Sequence, residues 1–415
     1  LAVPMMATNA FQTLFNIIDM MFVGRLGPSQ IAAVSVVGII TMIPFSLIMG
    51  TSIGTVAMVS RFYGARDYRQ ASHVAYQTIL TAIIGGAVIT VIGMLFAPFL
   101  IRLFGVTPNV HAMATAYLRI IFIASIPVAL QFLTAAIFQA VGDAPTALWI
   151  NLVAVLLNVF LDPLLIFGIG PFPRLEVNGA AIATCVARTA GMIVALYWLF
   201  FRQTHLKLVW EGFHLDRTMI KRILKIGIPS SLQMTLRSAS GIIMMGIVTG
   251  YGTFALAAYG VGIRLDMFVL MPGFGLAAAA ATLVGQNLGA GKPDRAVTGS
   301  WMAAFYYFFI MLMVAIIYYH FATKIFALFN TDPAVIENGR LYLKTVVYGY
   351  PFLGIAIILN RALSGAGETI ITMVITGVSL LGIAVPLSLI FPRIFDVGVI
   401  GVWMAIVAAN IAQTV

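Results

Sequence analysis

Twelve apolar stretches, each long enough to cross a bilayer, recur along this chain of 415 residues, and no other feature narrows its possible folds as much. A helix needs about 20 largely apolar residues to span the hydrocarbon core. The stretches fall at 1–24, 31–58, 74–101, 113–140, 146–168, 179–201, 226–250, 254–286, 297–322, 338–364, 369–391 and 397–415. All are predicted as helices, because an open sheet leaves its backbone unpaired in lipid. Charged residues make up 9% of the chain and mean hydropathy is +1.05, whereas soluble proteins carry roughly 25% charged residues. One soluble core cannot hide this much apolar surface, so the lipid bilayer is the expected solvent and a soluble enzyme is a poor fit. The net charge of +10 is read as loop charge that holds membrane topology. No Lys/Arg stripe is interleaved with aromatics, and nucleic acid is not expected as a partner. Cys185 is the lone cysteine and the five histidines are scattered, so no disulfide framework and no metal centre is expected.

The spans come in two copies. At an offset of 225, Pro4 matches Pro229, Gly27 matches Gly252, Gly64 matches Gly289, Ala65 matches Ala290, Pro108 matches Pro333, Tyr117 matches Tyr342 and Gly142 matches Gly367. A constant offset through several loops argues for internal duplication. The predicted fold is therefore an all-α membrane protein, with twelve transmembrane helices in two six-helix bundles. An even number of spans per copy enters the membrane in one direction twice, which implies a pseudo-two-fold axis along the membrane normal. The expected division is an N-lobe at 1–201, a cytoplasmic linker at 202–225 and a C-lobe at 226–415. The linker is the one long polar stretch, with Arg202, His205, Lys207, Glu211, His214, Asp216, Arg217, Lys221, Arg222 and Lys225. Its density of Lys and Arg, with Arg61, Arg66 and Arg69 on the same side, predicts both termini in the cytoplasm. A multi-pass protein of the inner (cytoplasmic) membrane is expected, working as a monomer.

Most acids lie in loops or at span ends, but Asp19, Asp162 and Asp266 fall within spans. A carboxylate at mid-membrane costs about 2.5–3.5 kcal/mol on insertion scales, and such groups usually mark ion or substrate paths. Asp19 precedes Gly24 by five residues and Asp162 precedes Gly168 by six, which sets both ~7–9 Å below one end of their spans. Thr184 sits five residues inside span 6, at a similar depth. Asn158 lies one turn before Asp162, on the same face. Asp19, Asn158, Asp162 and Thr184 thus form a candidate cation-coupling site. Carboxyl groups in a poorly hydrated site exchange protons near neutral pH, and the same oxygens suit a hard cation such as Na⁺ at Asp19 and Asp162. The second copy has Met244 in place of Asp19 and Leu387 in place of Asp162, so coupling is expected in the first half alone. Asp266 is read as either a pairing partner for another span or a second substrate contact, and Gln12 and Gln233 are further candidate substrate contacts. Pro4 removes a helical hydrogen bond and offers a bend in the span that carries Asp19.

Gly289-Ala290-Gly291-Lys292 superficially suggests a phosphate loop, but Gln286 stands where the first glycine belongs and Pro293 replaces the Ser/Thr. Without a nucleotide motif, the energy source is expected to be an ion gradient and no cofactor is expected. Taken together, Pro4 through Asp19 to Val23-Gly24-Arg25-Leu26-Gly27, Asn158 with Asp162-Pro163, Gly179-Ala180-Ala181 leading to Thr184, and Val284-Gly285-Gln286-Asn287-Leu288-Gly289-Ala290-Gly291 resemble the multidrug and toxic compound extrusion (MATE) transporters over essentially the whole chain. The resemblance implies two six-helix lobes that export small-molecule drugs by proton or sodium antiport. Asp19, Asn158, Asp162 and Thr184 match the coupling positions of a DinF-like branch, and Pro4 matches a proline linked to bending of the first helix. A NorM-like branch carries acids on spans 7 and 10, where this chain has Gln233, Arg237, Asn360 and Arg361. The function expected is proton-coupled efflux of lipophilic or cationic compounds. A sodium-coupled drug antiporter is the alternative, and a flippase for a lipid-linked precursor the less favoured one.

Overall fold

The computed structural model describes residues 1–202, 206 and 214–414. The linker positions His205, Lys207 and Glu211 lie outside the described residues. Fifteen helices follow one another: α1 (Ala2–Gly24), α2 (Pro28–Gly64), α3 (Tyr68–Arg102), α4 (Pro108–Ile123), α5 (Ser125–Ala140), α6 (Ala144–Phe167), α7 (Glu176–Phe201), α8 (Arg217–Thr249), α9 (Thr253–Gly289), α10 (Pro293–Ala327), α11 (Pro333–Val346), α12 (Tyr350–Ala366), α13 (Thr369–Gly377), α14 (Val385–Ile394) and α15 (Val399–Ala412). Pairing α4 with α5, α11 with α12 and α13 with α14 gives twelve spans, six in each copy of the repeat. By length and apolar composition eight of these qualify outright, and the bent α4–α5 pair makes nine. The more polar α1 and α8 and the short α15 complete the twelve.

The three divided spans share one physical cause. Proline has no amide proton and its ring crowds the carbonyl four residues earlier. Pro127 acts on Ile123, and α4 meets α5 at a 47° bend there. Pro351 acts on Val347, where a 3-10 turn (Val347–Gly349) separates α11 from α12. Pro386 acts on Gly382, inside a π-helical segment (Val378–Ala384) between α13 and α14. Elsewhere the helices overrun the bilayer. At 37 residues, α2 and α9 reach ~55 Å, well beyond the hydrocarbon core.

The chain forms two compact units, Leu1–Ile228 with Gly285–Gly291, and Pro229–Val284 with Lys292–Val415. In unit 1 small side chains fill the helix contacts, including Ala33, Ala75, Ala97, Ala180 and Ala187, all buried. Leu95 and Phe201 point outward at 71% and 76% exposure. This inside-out partition is expected where lipid is as apolar as leucine and close packing drives association. Unit 2 packs around larger rings, with Tyr307, Phe326, Tyr342 and Trp403 fully buried.

The tightest contact of unit 1 is built from repeat mates. A Cβ on Gly64 would lie 2.0 Å from the Gln286 carbonyl oxygen, and one on Gly289 would lie 1.8 Å from that of Arg61. Gly64 and Gly289 are related by the 225 offset, as are Arg61 and Gln286, so the ends of α2 and α9 meet backbone to backbone with the same register read from either side. Gln286 Nε2 adds a hydrogen bond to the Ala140 carbonyl at 2.9 Å. The motif around Gln286 is thus explained by close approach rather than by a ligand.

Helix α8 starts at Arg217, so the polar positions Arg217, Lys221, Arg222 and Lys225 are helical. Asp216 Oδ1 accepts from the Thr218 and Met219 amides at 2.8 and 3.0 Å, which satisfies donors that a helix start leaves free. Its Oδ2 pairs with His73 Nε2 of α3 at 3.1 Å. The Met219 amide first, and the His73 ring after it, hold the Asp216 carboxyl below the usual carboxylate range.

Candidate functional site

Three helices bring the polar groups of unit 1 to one level. Helix α6 contacts both α1 and α7. The α6–α7 approach is close because Gly179 has no side chain: a Cβ there would lie 2.4 Å from the Leu165 carbonyl oxygen. On α6, Asn158 and Asp162 share a face one turn apart and both are 0% exposed. Pro163 follows Asp162 inside the helix, so the carbonyl one turn before it lacks its amide partner. Asn158 Nδ2 donates to Asp162 Oδ1 at 3.0 Å and to Thr184 Oγ1 of α7 at 3.4 Å. Asp19 of α1 and Thr184 are half-buried. Asp19 lies within coulombic reach of Asp162, and buried Tyr117 of α4 lies within reach of both. The structure therefore brings Asn158, Asp162 and Thr184 into direct contact, with Asp19 beside them.

Asp19 Oδ1, Asp162 Oδ2 and Asn158 Oδ1 are buried without a hydrogen-bond donor. Buried polar atoms are nearly always paired, and exceptions call for an explanation. Three acceptor oxygens without donors make a site for a positive charge, either a proton shared between the carboxyl groups or a cation that takes oxygen ligands. Among the described residues no three His, Cys, Asp or Glu side chains converge as metal ligands. A bare cation here would therefore draw on the Asn158 and Thr184 oxygens as well.

The other candidates lie elsewhere. Pro4 occupies the first turn of α1 and its carbonyl accepts from Thr8 Oγ1 at 3.0 Å. Fifteen residues separate it from Asp19, ~22 Å along the helix. Half-buried Gln12 sits two turns before Asp19, and its Oε1 accepts from Nη1 and Nη2 of Arg188 at 3.3 Å each. In unit 2, Gln233 Nε2 donates to the Thr372 carbonyl at 3.0 Å and to Thr376 Oγ1 at 2.7 Å, tying α8 to α13. Asp266 of α9 accepts from the Tyr342 hydroxyl at 2.6 Å and the Tyr350 hydroxyl at 2.5 Å. Both tyrosines are buried, and Trp403 packs edge-on against Tyr342 at 4.9 Å. Among the basic residues within spans, Arg188 is buried, Arg361 is half-buried, and Arg237 and Arg264 are exposed.

Sequence reasoning missed Tyr117, Arg188, Tyr342 and Tyr350 as parts of these clusters. The signals were present. Tyr117 and Tyr342 are repeat mates, and Arg188 lies one turn beyond Thr184 on the same face of α7.

Six helical spans in each of two copies, with an acid cluster buried inside one of them, have the architecture of a membrane transporter. The family model MatE matches twice, over residues 4–164 and 229–390, and the chain belongs to that family. The two matches open on Pro4 and Pro229, the first pair of the 225-residue repeat. Among curated proteins, the probable multidrug resistance protein YoeA of Bacillus subtilis is 29% identical over 411 residues, covering 98% of this chain and 89% of that protein. A protein of Shewanella oneidensis named as an FAD transporter is 28% identical over 399 residues, covering 96% and 87%. Among solved structures, a MATE crystallised in its straight conformation superposes with a TM-score of 0.93 at 27% identity, covering 100% of this chain and 92% of that one.

Proposed function

We propose that this protein is an antiporter that exports lipophilic and cationic small molecules in exchange for protons taken up at Asp19 and Asp162. The observation that carries this reading is the pair of carboxyl groups from α1 and α6, each with a buried oxygen that no protein group satisfies, beside a third such oxygen on Asn158. Asn158 and Thr184 orient the pair. With the site negative, a cationic cargo is held; a proton entering the site cancels that attraction and releases the cargo. Pro4 lets α1, which carries Asp19, change its path between the two states. The working units are an N-lobe at 1–201 and a C-lobe at 226–415, joined by a cytoplasmic linker at 202–225. Both termini face the cytoplasm, and the protein acts as a monomer in the inner membrane without a cofactor.

Sodium coupling is the second reading, favoured by the all-oxygen character of the site. Proteoliposomes with proton and sodium gradients imposed separately distinguish the two. Export should follow the proton gradient and vanish in Asp19→Asn and Asp162→Asn at unchanged protein level. Transport that follows sodium at equal pH replaces the proton with Na⁺, and full transport by Asp19→Asn removes the site altogether. Among the described residues the flippase reading has one buried guanidinium to recommend it, and loss of surface glycan on deletion is the result that would restore it.

A further inference from the structure

Among the described residues Arg188 is a charged side chain with no charged partner. It is 6% exposed, lies on α7 one turn from Thr184, and forms no ion pair among the described residues. A buried cation without a counter-charge is costly, and proteins retain such groups where a partner arrives. The guanidinium carbon lies over the rings of Phe15 and Phe132, 4.5 and 5.3 Å from their centroids. That arrangement favours the cation and leaves its N–H groups to a hydrogen-bonding partner. Two of these converge on a single neutral oxygen, Gln12 Oε1, at 3.3 Å, longer than the 2.7–2.9 Å of charge-assisted contacts. A fork of this kind matches two oxygens of a carboxylate or phosphate far better than one amide oxygen.

The position of the fork relative to the acids adds to the case. Gln12 and Asp19 are seven residues apart on α1 and so share a face, ~10 Å from one another. On α7, Thr184 and Arg188 are one turn apart, Thr184 beside the acid cluster and Arg188 beside Gln12. Unit 1 thus offers a negative end and a positive end along one helix pair.

We infer that Arg188 is an anion-binding subsite of the cargo site in unit 1, taking a carboxylate or phosphate group of the cargo in place of Gln12 while Asp19 and Asp162 face its cationic end. Zwitterionic compounds with opposite charges roughly 10 Å apart are the cargo class that fits both ends. This rests on the efflux reading above.

The test uses a dye pair that differs in one group: tetramethylrhodamine, which carries a free carboxylate, and its methyl ester, which does not. Uptake into inverted proteoliposomes and fluorescence polarisation of the dyes with detergent-solubilised protein are both measured. In Arg188→Gln and Arg188→Ala the acid-to-ester ratio should fall at least tenfold in both assays, and Arg188→Lys should recover part of it. A ratio unchanged from wild type, including a parallel loss of both dyes, overturns the inference and leaves Arg188 as a packing residue. Wild-type protein that binds neither dye overturns it as well. Wild-type protein that binds the dyes with an Arg188-dependent ratio but moves neither supports the subsite and sinks the efflux reading instead.

Discussion

Alanine at Gly64 or Gly289 tests the most demanding contact in unit 1. The Cβ added at Gly289 sits 1.8 Å from the Arg61 carbonyl oxygen, and the one added at Gly64 sits 2.0 Å from the Gln286 carbonyl oxygen. Carbon and carbonyl oxygen approach to about 3.3 Å in ordinary close contacts, so the two helix ends must part by roughly 1.5 Å to admit either methyl group. The obstructing atoms are backbone and no rotamer change relieves them. Overpacking costs about 1–3 kcal/mol, and a rigid obstruction puts both variants at the upper end of that range. Because the glycines face the same crossing from opposite sides, one parting of the helices makes room for both methyls. The double variant should therefore cost less than the two singles added, by at least about 0.5 kcal/mol, the threshold above which neighbouring sites are read as coupled. Thermal unfolding followed by size-exclusion chromatography measures the series. Gly85→Ala and Gly299→Ala serve as controls, since a Cβ at either meets nothing within 4 Å and alanine is the better helix former by about 0.5–1 kcal/mol. Either crossing variant unfolding with its control, or a double variant with strictly additive loss, would refute the backbone crossing.

Two further outcomes are expected. In unit 2, Asp266→Asn leaves one of the Tyr342 and Tyr350 hydroxyls without its acceptor, and the loss of a buried hydrogen bond of this kind costs about 1–3 kcal/mol; thermal stability should fall while the ion-to-cargo ratio in proteoliposomes stays the same, and a changed ratio would make Asp266 part of the coupling site. At the start of α8, Asp216 is held below the usual carboxylate range by the Met219 amide and then His73, so its contribution is present above the unfolded-state value and lost as pH falls through the lower folded-state one. Protection of the amides of Thr218 and Met219 against hydrogen exchange, referred to the intrinsic rate at each pH, should fall as the medium is acidified through the carboxylate range, and Asp216→Ala should remove that dependence.

The twelve spans were legible because lipid leaves a chain few options: the apolar runs must be helical, and hydropathy marks where each crosses. Hydropathy does not mark where a helix continues past the bilayer, and so α2 runs to Gly64 although its apolar run ends at 58, and α10 begins at Pro293 although its apolar run begins at 297. The breaks were written in the chain but not read. The apolar run 113–140 reads as one continuous span, although Pro127 lies four residues after the point where α4 gives way to α5. In the site, Asn158 and Asp162 were legible from spacing on one helix, and Thr184 from its depth on another. Arg188, Tyr117, Tyr342 and Tyr350 were not, since their roles depend on which helix face meets which neighbour, and in a membrane bundle small residues decide that more than apolar periodicity does.

The two copies show how an acid in a membrane helix is to be judged. Tyr117 and Tyr342 occupy the same place in the repeat, and each lies by the buried acid of its own unit. The acids themselves differ in position: Asp19 and Asp162 have Met244 and Leu387 as mates, while Asp266 has Thr41. In unit 2 both Asp266 oxygens accept from phenol hydroxyls at 2.6 and 2.5 Å, and the carboxyl group is committed to the protein. In unit 1 an oxygen of each carboxyl group and that of Asn158 have no donor, and there a cation has something to gain by binding. Burial alone does not draw this line, since Asp19 and Asp266 are both half-buried and Asp162 is fully buried. The hydrogen-bond inventory separates the one that fastens helices from the two proposed to carry the ion.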